Sequence, residues 1–344
     1  MRTYGITYDT GFTSAGTTTH EPFDPDLVCR EMRIIRDDLH CDAVRVTGGV
    51  PDRLEVAARH AAEAGLAVWY SPFTNGLTQD ELLAFIIDAA ERAERLRTSG
   101  AQVVFLTGSE ISLVTDGFLP GDDLVERLGL MASAPERLRD ALPALRADVN
   151  AFLARAVAAV RERFGGPVGY ASLPFEGVDW EPFDLAATDA GYRDATSAPA
   201  FRETVRAQLP PDKPFAVTEF GCTTHRGSAD LGARGDSILR WDERARPGLS
   251  AIAVRDEAEQ AAYVRELLDV YAEAGVDAAF VNTFARRDLP TSDDPAHDLD
   301  AASFGVVKPL PDGRTGTAYP GMPWEPKAAF HALAEYGRAR TASA

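Results

Sequence analysis

The stretch VVFLTGSE, residues 103–110, decides the fold class because it joins a continuous apolar run to a terminal acid. Parallel strands of α/β proteins are buried on both faces and therefore read as uninterrupted apolar runs. A second run, PFAVTEFG at 214–221, carries Glu219 near its end just as Glu110 closes the first. A carboxylate at the tip of a buried strand is costly unless it is paired, hydrogen-bonded or used in chemistry.

Strand and helix signals alternate along the chain on both sides of these two runs. The other strand-like runs are GITYD (5–9), AVRVTG (43–48), LAVWYSPF (66–73), VGYASLP (168–174), DLAATDAGY (184–192) and AAFVNTFA (278–285). Amphipathic helical segments separate most of them, and the clearest begins at the capping-box pair Thr78 and Glu81. Eight strands in βα order predict a parallel sheet that closes into a (β/α)8 TIM barrel.

Long loops are predicted after strands four, seven and eight, at 111–130, 223–255 and 286–323. Loops that follow barrel strands lie on the face where active sites are built, so these insertions predict a shaped pocket. No linker composition is visible, and we expect residues 1–344 to form a single barrel domain. Pro143 is expected to divide or kink the long helical region after strand four.

Composition excludes several classes of partner. The net charge of −18 argues against nucleic acid and anionic membranes, because both require a positive surface. No apolar stretch reaches the roughly 18 residues of a membrane span. The chain opens on a strand without the charged and apolar regions of a signal peptide, so we expect a soluble, cytoplasmic protein.

The sequence does not predict a metal or another cofactor. Three cysteines (Cys29, Cys41 and Cys222) show no CxxC spacing, and the six histidines form no HxH or HExxH pair. The glycines of the strand-seven loop do not sit between a strand and a helix, as a phosphate-binding loop requires.

Two carboxylates on nearly opposite barrel strands are the reagents for cleaving a glycosidic bond. One acid protonates the leaving oxygen while the second carboxylate attacks the anomeric carbon from the other face. The carboxyl groups lie about 5–5.5 Å apart in retaining enzymes and about 6.5–9.5 Å apart in inverting ones. The upper ends of strands four and seven face each other across a barrel mouth, so Glu110 and Glu219 are the predicted catalytic pair.

The arrangement resembles clan A of the glycoside hydrolases, over residues 5–336. This resemblance implies a retaining double displacement, with Glu219 as nucleophile and Glu110 as acid and then base. Arg45 resembles the strand-two arginine that supports the nucleophile, and Tyr192 resembles the tyrosine that hydrogen-bonds it. These two residues are therefore expected to keep Glu219 ionised and oriented. The stretches VDWEPFDLAATDAGY, SFGVVKPL and WEPKAAFHAL are also similar to segments of these enzymes.

Two positions depart from the pattern of that clan. Its members usually place an asparagine before the acid/base glutamate, where it contacts the sugar 2-hydroxyl, whereas this chain has Ser109. They usually end strand eight with a tryptophan under the sugar ring, and Phe284 stands at the corresponding place here. Serine still forms hydrogen bonds and phenylalanine still packs on a sugar face, so both are predicted substrate-binding residues.

Four more residues are candidates for lining a sugar pocket. Tyr8 and Asp9 close strand one, Trp180 precedes strand six, and Asn282 lies in strand eight. Aromatic faces stack on sugar rings, and polar side chains bind hydroxyl groups. The alternative for each residue is ordinary packing or a structural hydrogen bond.

A closer resemblance is to barrel proteins of high-GC bacteria labelled "abortive infection protein". It rests on YDTG (8–11), LHCDAVRVTG (39–48) and SEISLVTDGFLPGD (109–122). That label implies a role in phage defence. Three functions thus remain open: a glycosidase or transglycosidase acting on a small-molecule or oligosaccharide glycoside, an enzyme that transfers protons without hydrolysis, and a non-catalytic binding or defence protein. The sequence leaves the oligomeric state open.

Overall fold

The computed structural model describes residues 1–14, 17–133, 135–242 and 246–343. Eight parallel strands form a closed barrel, in chain order, with the last strand paired to the first. They are β1 (Thr3–Asp9), β2 (Ala43–Gly48), β3 (Ala67–Pro72), β4 (Val103–Ser109), β5 (Val168–Ser172), β6 (Ala186–Thr188), β7 (Phe215–Phe220) and β8 (Ala278–Val281). The predicted (β/α)8 barrel is confirmed.

Helices lie between the strands on the outside of the barrel. They are α1 (Pro25–Asp37), α2 (Pro51–Glu63), α3 (Gln79–Thr98), α4 (Ile111–Val114), α5 (Leu124–Ser133), α6 (Pro135–Arg161), α7 (Phe201–Gln208), α8 (Glu257–Ala274) and α9 (Ala328–Ser343). The connection from β5 to β6 is irregular and contains one 3-10 turn, Pro174–Glu176. The helix α6 continues through Pro143, so the predicted division is not observed.

Local sequence signals explain where several helices begin and end. At the start of α3, Thr78 Oγ1 accepts from the Glu81 N–H at 3.4 Å, and the Glu81 carboxylate accepts from the Thr78 N–H at 2.9 Å. Asp256 caps α8 by accepting from the Glu259 N–H at 3.1 Å. The same helix ends at Gly275, whose φ of 95° lies in the left-handed region that glycine adopts without strain.

Side chains alternate across each strand between the helix layer and the barrel interior. In β2, for example, Val44 and Val46 pack outward, whereas Ala43 belongs to a small apolar cluster inside the barrel. Trp69 and Phe280 fill that cluster with their ring centroids 4.7 Å apart. This cluster, the apolar plug, fills the barrel interior on the side of the amino ends of the strands. Polar side chains lie above it, at the carboxyl ends of the strands.

The predicted long loops follow β4, β7 and β8. The first contains α4 and α5, which the sequence did not predict. The others contain the antiparallel pairs Leu239–Trp241 with Pro247–Leu249 and Val307–Pro309 with Trp324–Pro326, and the 3-10 turns Ser228–Asp230, Gly232–Ile238 and Leu299–Ala302. A small pair, Thr13–Ser14 with Thr17–Thr18, follows β1, and the turn Ala198–Ala200 precedes α7.

Candidate active site

The guanidinium of Arg45 lies at the centre of a polar cluster above the apolar plug. Arg45 projects inward from β2 and is fully buried. Its Nη1 donates to Glu219 Oε1 and to Asp189 Oδ1, each at 2.9 Å. Its Nε donates to Ser71 Oγ at 3.2 Å, and its Nη2 donates to Ser109 Oγ at 3.0 Å. Side chains from β3, β4 and β7 and from the residue after β6 therefore all bond to the same guanidinium.

Glu219, in β7, is held at both carboxylate oxygens. Oε1 accepts from Arg45, while Oε2 accepts from the Tyr192 hydroxyl at 3.3 Å and from Asn282 Nδ2 at 3.2 Å. Asn282 also donates to the Tyr192 oxygen at 2.9 Å. The Glu219 side chain remains 15% exposed. The structure thus brings Glu219 together with its two predicted partners, Arg45 and Tyr192, and with Asn282, which was predicted to line the sugar pocket.

Asp189 belongs to the same cluster and was missed by the sequence predictions. It follows β6 directly, its side chain has no exposed surface, and it forms a second bond to Arg45 through Oδ2 and Nη2 at 3.3 Å. The hydroxyl of Ser109 also donates to Asp189. Because that hydroxyl has only one hydrogen, Ser109 has no donor left for a sugar hydroxyl. A signal existed, since Asp189 ends an apolar strand run just as the two glutamates do.

A register shift beside each glutamate interrupts the regular alternation of side chains in β4 and β7. The strand β7 uses residues 217–220 where its neighbour β8 uses 279–281. In the same way, β4 uses residues 106–109 where β5 uses 169–171. Each of these strands therefore carries one extra residue next to its glutamate. Such bulges re-aim side chains and are frequent beside active sites.

The backbone of Glu110 adopts a left-handed conformation, with φ 48° and ψ 37°. This region is uncommon for residues other than glycine and costs free energy. Neighbouring groups hold it there: the Glu110 N–H donates to the Ala171 carbonyl at 3.0 Å, and the Ile111 N–H donates to the Tyr170 hydroxyl at 2.9 Å. Tyr170 in turn donates to buried Glu176 at 2.9 Å. Glu110 in this conformation is the residue between the end of β4 and the start of α4.

Electrostatics favour the protonated form of Glu110. Burial raises its pKa well above the ordinary value, and the charges of Asp189, Glu219 and Glu176 raise it further against the opposing charge of Arg45. Among the described residues, no group donates a hydrogen bond to its carboxyl oxygens. A carboxyl group with these properties holds a proton that it can deliver to a bound molecule.

Glu219 is less strongly ionised than the sequence led us to expect. Burial and the charge of Asp189 raise its pKa to about 8, although Arg45 and the Tyr192 hydroxyl oppose the rise. The expectation that these two groups keep Glu219 ionised did not take Asp189 into account. Arg45 forms two bonds with Asp189 and one with Glu219, so its charge is shared.

Tyr8 and Phe284 lie outside the cluster, which corrects their predicted roles. The Tyr8 hydroxyl donates to Glu31 of α1, on the helix side of the barrel wall. Thr7, its neighbour in β1, is the residue that faces inward, because side chains alternate along a strand. Phe284 is fully buried and packs on Tyr8 and Trp324, with ring centroids 5.9 and 5.4 Å away.

Trp180 lies at the other end of the barrel. Its ring packs on Phe183 with the centroids 5.6 Å apart, and its carbonyl accepts from Lys213 Nζ at 2.7 Å. Lys213 precedes β7 and thus marks the amino ends of the strands. The predicted contact of Trp180 with substrate is therefore corrected: the segment before a strand reaches the face opposite the cluster.

Asp9 ends β1 at the mouth of the barrel, but its carboxylate turns into its own loop. It accepts from the Gly11 N–H at 2.7 Å and from the Thr19 hydroxyl. Burial raises its pKa, and these hydrogen bonds and the charge of Arg286 oppose the rise. Arg286 forms a two-bond pair with Asp288 at 2.9 and 2.7 Å. Asp9 thus lines the rim beside β8 without bonding to the Arg45 cluster.

Among the described residues, no group of three His, Cys, Asp or Glu side chains has the arrangement of a metal site. No described helix is both long enough and apolar enough to cross a membrane.

Comparisons with known proteins relate the chain to glycosidase barrels by structure alone. Neither the protein-family models nor the curated proteins give a match. The chain is similar to a GH113 beta-1,4-mannanase, with a TM-score of 0.57 and 17% identity, over 99% of this chain and 100% of that chain. It is similar to the GH113 beta-mannanase of Alicyclobacillus acidocaldarius, with a TM-score of 0.56 and 16% identity, over 98% of each chain.

A beta-glucuronidase of Parabacteroides merdae is also similar, with a TM-score of 0.57 and 13% identity, over 98% of this chain but 36% of that chain. At these identities the likeness shows the fold. The resemblance to barrel proteins labelled "abortive infection protein" stays a prediction. The chain has the barrel fold of these glycoside hydrolases.

Proposed function

We propose that the protein is a retaining glycoside hydrolase or transglycosidase in which Glu219 is the nucleophile and Glu110 the acid/base. One observation carries the proposal: the glutamates at the ends of β4 and β7 lie close enough for the charge of Glu219 to raise the pKa of Glu110, yet they differ in their hydrogen bonds. Glu219 is bonded at both oxygens, whereas Glu110 is free of hydrogen bonds among the described residues and has a raised pKa. Carboxyl groups with such different environments take different roles in glycoside cleavage.

The chemistry follows from these environments. A Glu219 oxygen bonds to the anomeric carbon as the glycosidic C–O bond breaks, and Glu110 gives its proton to the departing oxygen. Glu110, now a carboxylate, then takes a proton from water as that water attacks the same carbon and releases Glu219. An alcohol in place of water gives transglycosylation. Arg45, Tyr192 and Asn282 orient Glu219 through the bonds described above, and the scheme requires no cofactor.

The substrates named for the similar structures supply the first probes. We would assay 2,4-dinitrophenyl β-mannosides and β-glucuronides, together with the corresponding glucosides and galactosides. Glu219→Gln should abolish turnover, because an amide oxygen is a poor nucleophile. Glu203→Gln, an exposed position on α7, serves as the matched control and should keep full activity.

Azide separates the roles of the two glutamates. In Glu110→Ala, azide should restore turnover of these activated glycosides at least tenfold and give a β-glycosyl azide, since it replaces water without needing a base. In Glu219→Ala, azide should give the α-glycosyl azide by direct attack. Full turnover by Glu219→Gln on every substrate of the wild-type enzyme would overturn the assignment.

Proton transfer without hydrolysis is a second candidate, supported by a specific observation. With a pKa raised to about 8, Glu219 carries a proton near neutral pH, and Ser109 has no donor left for a sugar hydroxyl. A cyclase or isomerase that begins by protonating its substrate can use a protonated carboxyl group as the acid, and the carboxylate left behind then takes a proton back as the base. Solvent deuterium incorporated into an unhydrolysed product would favour this candidate, and a sugar covalently attached to Glu219 would exclude it.

A further inference from the structure

Two carboxylates divide the charge of Arg45 unequally. Asp189 takes two bonds from the guanidinium, at 2.9 and 3.3 Å, whereas Glu219 takes one, at 2.9 Å. Asp189 also receives the Ser109 hydroxyl and has no exposed side-chain surface. Glu219 keeps 15% of its side chain exposed. Asp189 therefore accepts more of the hydrogen bonds that the Arg45 guanidinium donates than Glu219 does.

We propose that Asp189 is a positioning residue that withholds part of the Arg45 charge from Glu219 and so sets the pH above which Glu219 is ionised. The inference rests on the proposed function only in taking Glu219 as the nucleophile. Asp189 itself is a member of the cluster with no exposed side-chain surface and does not act on the substrate.

The other groups facing the pair cannot supply the missing positive charge. On the β4 side stand the Ser109 hydroxyl and the Glu110 carboxyl group, and on the β3 side stands the Ser71 hydroxyl. The remaining neighbours are the Tyr192 hydroxyl after β6 and the Asn282 amide after β8. These groups are neutral or acidic.

Arg45 is the one cation bonded to Asp189 or Glu219 among the described residues. In a buried site, like charges that share a single cation favour protonation of one partner. That partner is Glu219, because Asp189 has more bonds to its charged form from the guanidinium. A neutral side chain in place of Asp189 would leave Arg45 to Glu219 alone, and Glu219 would then ionise at lower pH.

The test is the titration of Glu219 followed directly. The protein is labelled with ¹³C at the glutamate side-chain carboxyl groups, and the Glu219 signal is assigned by its loss in Glu219→Gln. Asp189→Asn should lower the titration midpoint of this signal by about one pH unit or more. Asp184→Asn is the matched control, because it removes the same charge at the other end of β6, where Asp184 pairs with Arg161 at 2.6 Å.

A midpoint in Asp189→Asn that stays in place or rises would overturn the proposal, as would an equal shift in Asp184→Asn. If Asp189→Asn does not fold, the smaller Asp189→Ser gives the same reading. The titration does not require turnover. A lowered midpoint without glycosidase activity would therefore reject the proposed function alone, and an unmoved midpoint in an active enzyme would reject the role of Asp189 alone.

Discussion

The left-handed backbone at Glu110 is a local cost that the hydrogen bonds of neighbouring groups maintain. A residue other than glycine in this region costs on the order of 1 kcal/mol or more. Glycine adopts the region freely, so substitution can separate the backbone strain from the carboxylate.

We therefore expect Glu110→Gly to be more stable than Glu110→Ala by about 1 kcal/mol, measured by urea unfolding. Both variants lose the carboxylate and should lose hydrolysis of substrates with poor leaving groups to the same extent. The difference in stability isolates the strain, because alanine keeps the unfavourable φ of 48°. Equal stabilities, or a more stable alanine variant, would show that the conformation costs nothing.

Glu219 should make the fold less stable as the pH rises. Its pKa is about 8 in the folded protein against an ordinary 4.5, so the folded state binds the extra proton between these values. Stability then falls as pH rises through this window, since the unfolded state releases its proton first. Replacing the carboxyl group by an amide removes the penalty.

Glu219→Gln should therefore be more stable than the wild type at pH 8.5, by on the order of 4 kcal/mol, and show little gain at pH 5. Urea unfolding at the two pH values provides the measurement. The Glu203→Gln control should show no such pH dependence. A gain of the same size at both values would mean that packing, not ionisation, distinguishes the amide.

At the scale of elements, the strands could be predicted but the bulges in them could not. Continuous apolar runs identify β4 and β7 because parallel strands are buried on both faces. The extra residue in each strand is visible only against its neighbour, where 217–220 faces 279–281. Strict alternation therefore misplaces side chains from the bulge onward.

The site could be predicted only in part, because contacts between residues far apart in the sequence cannot be read from it. Arg45, Glu110 and Glu219 lie within or directly after strands that the apolar runs identify. Asp189 was missed because its role arises from contact with Arg45, 144 residues away. Trp180 was misplaced because an aromatic residue between strands does not reveal which end of the barrel it reaches.

On the scale of the whole molecule, a buried ion network joins the loops that follow β7 and β8. Lys327, at the start of α9, donates to Asp300 at 2.9 Å and to Thr224 at 2.7 Å. Arg255 bonds to Asp300 at 2.9 Å from the loop after β7. Lys327 and Asp300 have no exposed side-chain surface. The network thus ties together the two long loops beside the barrel mouth.

Lys327→Met should destabilise the protein by about 3 kcal/mol, because it leaves Arg255 as the remaining cation bonded to the buried Asp300. Lys308→Met is the matched control. Lys308 pairs with Glu257 at 3.0 Å but is 29% exposed, so its loss should cost less than about 1 kcal/mol. Thermal unfolding of both variants decides the point, and equal losses would contradict a structural role for the buried network.

The proposed mechanism requires a covalent bond between Glu219 and the sugar, and this bond can be trapped. The protein is incubated with 2-deoxy-2-fluoro analogues of whichever aryl glycosides it hydrolyses, and its peptides are analysed by mass spectrometry. We expect one fluorosugar per chain on the peptide that contains Glu219, and none on the Glu219→Gln variant. Labelling of a different carboxylate, or hydrolysis of the parent glycosides with inversion and no adduct, would contradict it.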